Sequence, residues 1–290
     1  MAAVEANGVS LNVMRLPPRG TEPQDGPAPV VVFLHGAFID SLASFYFTLG
    51  PAFAAAGCDA VMFDLRGHGR SERPRTGYTV QDFTADLDAL LDRLGVEDPV
   101  HLVGNSFGGT VALDFAVRHP ERTASVLVIE SVPATDAWGR VMRGALSQVL
   151  GEEDGDPKPL SWFVDQYGTA APPSRRDKRH EARIERMGRS AARLIHSTSI
   201  MKDLTAGAPL TEEDIRSVRC PVLLINGSEG LVAEETAQLA SQLQRVRVAE
   251  VAGQKHSVLV EAPDAVSRLA LDWVREHAAQ GQGQGQGLAS

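Results

Sequence analysis

Aromatic residues make up only 6% of the 290 positions, cysteine occurs twice, and the 28 Lys and Arg fall short of the 37 Asp and Glu, a net charge of −9. Each shortage excludes something. Cys58 and Cys220 make no disulfide framework and have no paired metal-ligand spacing; each precedes an apolar stretch and reads as a packed thiol in a reducing compartment. The acidic balance argues against nucleic acid as a partner, because that needs a basic surface. No apolar run approaches the roughly 18 residues of a membrane span. The opening MAAVEANGVS lacks the basic and apolar regions of a signal peptide, so the expectation is a cytoplasmic protein with no membrane partner. No metal-ligand cluster or Gly-rich nucleotide loop stands out, which points to chemistry without a cofactor.

What is present is an alternation. Short apolar or β-branched runs at Val30–Leu34, Ala60–Phe63, Val100–Val103, Ser125–Ile129, Pro221–Ile225 and Val246–Val251 read as strands. Runs apolar throughout, without strict alternation, suit parallel strands covered on both faces. Helical stretches fall between them at Phe45–Ala56, Thr79–Leu94, Phe107–Arg118, Ala233–Gln244 and Ala262–His277, with Gly57, Gly95 and Pro120 at the expected stops. The pattern predicts an α/β fold with a doubly wound, mostly parallel sheet. Arg15 to Pro29 is a Pro/Gly-rich connection from a first strand, and 280–290 (QGQGQGQGLAS) has nothing to bury and reads as a disordered tail. Between Pro133 and Val218 no convincing strand appears. This divides the chain into a core, 1–132 with 219–279, and an inserted helical lid at 133–218, placed above the C-terminal strand ends where ligands bind in such sheets.

The run Gly104-Asn105-Ser106-Phe107-Gly108-Gly109 lies between a strand and a helix, the context of the nucleophile elbow G-x-S-x-G. Small residues two before and two after the serine let strand and helix pass close together, and the helix N-terminus favours developing negative charge. Further motifs follow in order: Leu34-His35-Gly36-Ala37, then Asp64-Leu65-Arg66-Gly67-His68-Gly69-Arg70-Ser71, then Gly253-Gln254-Lys255-His256 with Glu261-Ala262-Pro263. On these residues the chain, from about Val30 to His277, resembles the α/β-hydrolase superfamily. The resemblance implies Ser106 as nucleophile, His256 as its base, and backbone N–H groups of Ala37 and Phe107 as an oxyanion hole. Phe38 is then expected to line the pocket. His35 and His68 match motif positions that are usually structural, and His101, His119, His180, His196 and His277 fall on strands, helix ends or charged helical faces.

The acid departs from the pattern. In most of the superfamily an aspartate follows the strand corresponding to Pro221–Ile225, in a turn G-x-x-D, whereas here the turn is Gly227-Ser228-Glu229-Gly230. Glu229 is one residue out of place. The other placement is the end of the preceding strand, where Glu130 closes Val126-Leu127-Val128-Ile129. A carboxylate ending an apolar buried strand is expensive unless paired. Glu130 is therefore the expected acid and Glu229 the alternative. The position resembles zearalenone-type lactone hydrolases and discrete polyether thioesterases. It also resembles some haloalkane dehalogenases, but these use an aspartate nucleophile, so Ser106 argues against dehalogenation and, likewise, against epoxide opening.

The expected reaction is hydrolysis of a carboxylic ester or lactone through an acyl-enzyme on Ser106. Thioester cleavage is the alternative, and C–C bond hydrolysis or a non-catalytic receptor stand further off. In the lid, Trp138, Met142, Trp162, Phe163, Tyr167 and Met201 are candidates for an apolar pocket or for packing onto the core. From Arg175 to Arg193 there are eight basic residues against three acidic ones, a solvated helix face with i,i+4 pairs or a landing site for an acyl carrier protein. Monomer and dimer both stay open.

Overall fold

The computed structural model describes residues 1–19, 27–150 and 178–284, with side chains left out at 148–150, 178–184 and 279–284. Its framework is an eight-stranded sheet: β1 (Ala2–Ala6), β2 (Val9–Leu16), β3 (Val30–Leu34), β4 (Asp59–Phe63), β5 (Val100–Asn105), β6 (Thr123–Ile129), β7 (Val222–Gly227) and β8 (Val246–Val251), in the order β1-β2-β4-β3-β5-β6-β7-β8. β1 and β2 form an antiparallel hairpin, β2 is antiparallel to β4, and every other pair is parallel. The first strand foreseen is thus a hairpin. Its turn is Asn7-Gly8, both at positive φ (48° and 71°), the geometry that Asn-Gly favours.

The unbroken apolar runs are explained by burial on both faces. Along β3, Val32 and Leu34 join one core while Val31 and Phe33 join the other, and β6 divides in the same way between Val126 and Val128 on one side and Leu127 and Ile129 on the other. The first core packs under α3 (Val80–Arg93) and α4 (Phe107–Arg118); α3 opens with a capping box between Thr79 and Asp82. The second lies under α1 (Ala43–Tyr46) and α2 (Gly50–Ala55), where Phe33 meets Phe45 and Phe53 at ring-centroid distances of 5.0 and 5.2 Å. The stretch Phe45–Ala56, expected as one helix, is split because Pro51 starts a new one at Gly50–Ala55.

Between β6 and β7 the described part of the insertion is helical: α5 (Asp136–Leu150), α6 (Lys178–Ser197), α7 (Ile200–Asp203) and α8 (Glu212–Arg216). The chain ends in α9 (Ala233–Gln242), α10 (Val258–Glu261) and α11 (Pro263–Gln284). The last helix runs into the stretch expected to be disordered; residues 285–290 lie outside the description. Cys58 and Cys220 are buried and unbridged, and burial pushes their thiols up to about 11 and about 12. Among the described residues no helix is long and apolar enough to cross a membrane.

The strand order turns back at β3, which lies between β4 and β5. Open α/β sheets form their ligand crevice at such a reversal, beyond the carboxyl ends of the strands. The loops after β3, β5, β6, β7 and β8 all end there.

Candidate active site

β5 ends at Asn105 and α4 begins at Phe107, so Ser106 alone makes the turn, at φ 51° and ψ −124°. This backbone costs a non-glycine residue of the order of 1–3 kcal/mol and persists only where the surroundings impose it. They do: the Ser106 N–H donates to Ile129 O at 2.9 Å, and its own carbonyl accepts from Gly109 N–H at 2.8 Å. The neighbouring glycines are steric requirements. A Cβ on Gly104 would overlap the Gly108 carbonyl, and one on Gly108 would overlap Leu34 O.

The Ser106 hydroxyl lies 3.1 Å from His256 Nε2. His256 sits in the loop between β8 and α10, and its Nδ1 lies 3.3 Å from Glu130 Oε2. For Nε2 to accept the hydroxyl proton, Nδ1 must carry the ring hydrogen and donate it to the carboxylate. Glu130 is 1% exposed and follows β6 directly, at φ 48°. Its Oε1 accepts Gly227 N–H at 2.7 Å and its Oε2 accepts Leu231 N–H at 3.2 Å, so both oxygens of the buried carboxylate are satisfied. Glu229 is exposed, and its N–H donates to Gln254 O at 2.9 Å. The structure therefore brings Glu130, and not Glu229, to the histidine.

The glycine in the usual acid turn now has a physical reason. A Cβ on Gly230 would overlap Glu130 Oε1, although the backbone there is outside the left-handed region. The space that a side chain at 230 would enter is filled by the carboxylate arriving from β6.

Ala37 and Phe107 both line the cavity, in the loop after β3 and at the first position of α4. That loop is tied to the turn after β4 by two histidines. His35 Nδ1–H donates to Gly36 O at 2.7 Å while its Nε2 accepts Leu65 N–H at 3.0 Å. His68 Nδ1–H donates to Arg66 O at 2.8 Å while its Nε2 accepts Phe38 N–H at 2.8 Å. Burial, with His35 nearby, pushes His68 down to about 3, so the ring is neutral and free to accept. Asp40, which sequence reading passed over, faces the same cavity; no periodicity or spacing singles it out.

The cavity above these groups measures about 860 Å³, in the upper part of the range for small-molecule sites. Phe38, Trp138 and Met142 line it, together with Leu210, Ile215 and Leu239. Met201 does not; it packs against the core beneath α6. Trp162, Phe163 and Tyr167 lie outside the described residues, as do Arg175 and Arg176. Of the basic stretch, Arg189 pairs with Glu185 at 2.6 Å on an exposed face of α6. Among the described residues no group of three or more His, Cys, Asp or Glu could hold a metal ion.

A strained serine at a helix N-terminus, with a histidine on its hydroxyl, a buried glutamate on that histidine and an apolar cavity above them, sits in the fold of the α/β-hydrolases. The chain belongs to the alpha/beta hydrolase family, whose model matches residues 31–269. Among curated relatives it is 39% identical over 148 residues to a protein of Mycobacterium tuberculosis named epoxide hydrolase B, a match covering 50% of this chain and 38% of that protein. The chain thus spans about two-fifths of that relative's length. Among solved structures, an enol-lactonase from Burkholderia xenovorans superposes with a TM-score of 0.70 at 19% identity, covering 94% of this chain and all of the other. A thermophilic esterase from Thermogutta terrifontis superposes with a TM-score of 0.74 at 17% identity, covering 95% and 98% of the two chains. At such identities these neighbours speak for the fold alone.

Proposed function

We propose that this enzyme hydrolyses carboxylic esters or lactones through an acyl-enzyme on Ser106. The observation that carries the reading is the chain Ser106 Oγ–His256 Nε2 at 3.1 Å and His256 Nδ1–Glu130 Oε2 at 3.3 Å, at the base of an apolar cavity. Ser106 Oγ attacks the substrate carbonyl as its proton passes to His256 Nε2. The oxyanion that forms is held by the N–H groups of Ala37 and Phe107. Collapse breaks the acyl–oxygen bond, and His256 gives its proton to the departing alkoxide; in a lactone that alcohol stays tethered to the acyl group. Water then attacks the acyl-enzyme, loses its proton to His256, and the second collapse returns a proton to Ser106 and frees the acid. Glu130 holds the ring in the required tautomer and offsets its positive charge.

The relative named epoxide hydrolase B suggests a different reaction, and Ser106 argues against it. Attack of a hydroxyl on an epoxide carbon leaves an ether on the enzyme, with no carbonyl for water to attack. A carboxylate nucleophile leaves an ester, which water can cleave.

The cavity supports a bulky, uncharged substrate. Its described lining carries Asp40, Asp136, Glu212 and Glu235 against Arg140 alone, besides Glu130 and His256. That field disfavours the phosphorylated arm of an acyl carrier protein, so ester or lactone ranks ahead of carrier-bound thioester.

The test is a panel of p-nitrophenyl esters of rising chain length, macrolactones and acyl thioesters, with fluorophosphonate labelling of Ser106. Wild type should label and turn over at least one neutral ester or lactone, and Ser106→Ala should do neither. Epoxide opening that persists in Ser106→Ala would overturn the reading.

A further inference from the structure

The loop that follows β3 is built around a tight turn. Ile39 N–H donates to Ala37 O at 2.8 Å across a single residue, Phe38, which lies at φ 63°. A three-residue turn with a left-handed non-glycine at its centre is rare and strained, and it stays put only when its flanks are fixed from outside. The centre of the turn is fixed by His68, which accepts Phe38 N–H at 2.8 Å. The flank toward β3 is fixed by Asp40, whose Oδ2 accepts Gly36 N–H at 2.9 Å. Asp40 is itself held: its Oδ1 accepts Ser41 N–H at 2.8 Å and also the Ser44 hydroxyl. Of three consecutive amides, those of Gly36 and Phe38 are thereby committed, and Ala37 N–H is the one left for a ligand in the cavity.

We infer that Asp40 is a positioning residue for the oxyanion hole, acting through Gly36 to hold the Ala37 N–H in place. The inference rests on the ester-hydrolase reading above but adds a residue which that reading does not use. Asp40 touches no reacting atom in this role. Only its ability to accept a hydrogen bond matters, not its charge. A negative charge this close to a developing oxyanion opposes catalysis, so the three donors that Asp40 binds also mute its field. Acceptor and charge can be separated at Gly36, since asparagine can keep one oxygen for Gly36 N–H while it removes the charge and loses the acceptor for Ser41 N–H.

Removing one oxyanion donor from a serine hydrolase costs about 10²–10³ in kcat, and loosening a donor without removing it should cost less. Asp40→Ala is therefore expected to lower kcat about 10- to 100-fold with KM within about twofold. It should slow fluorophosphonate labelling of Ser106 by a similar factor, because the phosphoryl oxygen uses the same hole. Asp40→Asn, with its oxygen on Gly36 N–H, should recover a substantial part of both rates, at least several-fold above Asp40→Ala. A merely structural role would move Tm and KM together with kcat, and asparagine would give no selective rescue. If Asp40→Ala does not fold, Asp40→Leu, of similar bulk and without an acceptor, takes its place in the comparison. The inference is overturned if the acceptor-free variant keeps the wild-type labelling rate and kcat, or if Asp40→Asn loses as much as it does. Failure of wild type to label at all would strike the ester-hydrolase reading instead, so the two failures are distinguishable.

Discussion

Exchanging the acid between two positions of the fold should leave a working enzyme, and the packing of Glu130 against Gly230 says why. Glu130 receives three donors: Gly227 N–H at 2.7 Å, Leu231 N–H at 3.2 Å and His256 Nδ1 at 3.3 Å. A glutamine there has one acceptor oxygen. If that oxygen takes Gly227 N–H, the amide NH2 faces Leu231 N–H and the ring nitrogen. His256 is then driven to the tautomer with hydrogen on Nε2, which cannot take the serine proton. The tautomer that cannot accept the serine proton is the loss read in kcat, of the order of 10³- to 10⁴-fold or about 4–5.5 kcal/mol, while the unrelieved mismatch at Leu231 N–H costs roughly 1–3 kcal/mol of stability. Glu229→Gln should stay within about twofold, because that side chain is exposed. The stronger test is Glu130→Gly/Gly230→Asp. Glycine at 130 suits φ 48°, and with the carboxylate gone the obstruction at 230 disappears. The double variant should exceed Glu130→Gly at least tenfold in kcat, read on an ester that wild type cleaves and normalised by fluorophosphonate titration. The reasoning fails if Glu130→Gln keeps turnover within threefold. It also fails if Gly230→Asp alone, with Glu130 in place, folds and works normally.

Two further expectations concern stability. His68 is pushed down to about 3 and His101 to about 4, both chiefly by burial, from an ordinary 6.5. Folded values below the unfolded one mean that the unfolded chain binds these protons first. Stability should be level above pH 6.5 and fall on acidification by about 1.4 kcal/mol per pH unit for each histidine, until pH nears the folded values. In urea melts at pH 7, 6 and 5, His101→Asn should remove about one histidine's worth of that slope; an unchanged slope would contradict the burial of a neutral ring. Gly108→Ala should cost about 3 kcal/mol or more, since its Cβ would meet the backbone of Leu34 and His35 and not a movable side chain. Gly253→Ala, at φ 69° but with open space around it, should cost only about 1–2 kcal/mol, and thermal melts compare the two.

What could be read in the sequence, and what could not, divides along the reach of the interactions. The parallel strands were legible because burial on both faces writes an unbroken apolar run into consecutive residues, and β3 matches it to the residue; β8, an edge strand that carries Arg247 and Glu250, has the expected bounds through its valines and not through such a run. The elbow was legible because its steric demands fall within five consecutive positions. The hairpin turn at Asn7-Gly8 carried an equally local signal that a reading centred on the core passed over. Asp40 carried none: its role exists only once Phe38 takes a left-handed backbone and His68 arrives from a turn thirty residues on. Glu130 lies between these cases. Its cost on an apolar strand was visible locally, but what repays it is the turn 227–231, about a hundred residues away. In the linear reading, the glycine at 230 was only a missing acid. In the fold it is the room that Glu130 needs, so the absence and the substitute are one packing fact. A chain that restored aspartate at 230 while keeping Glu130 would have to give up one of the two carboxylates' places beside His256.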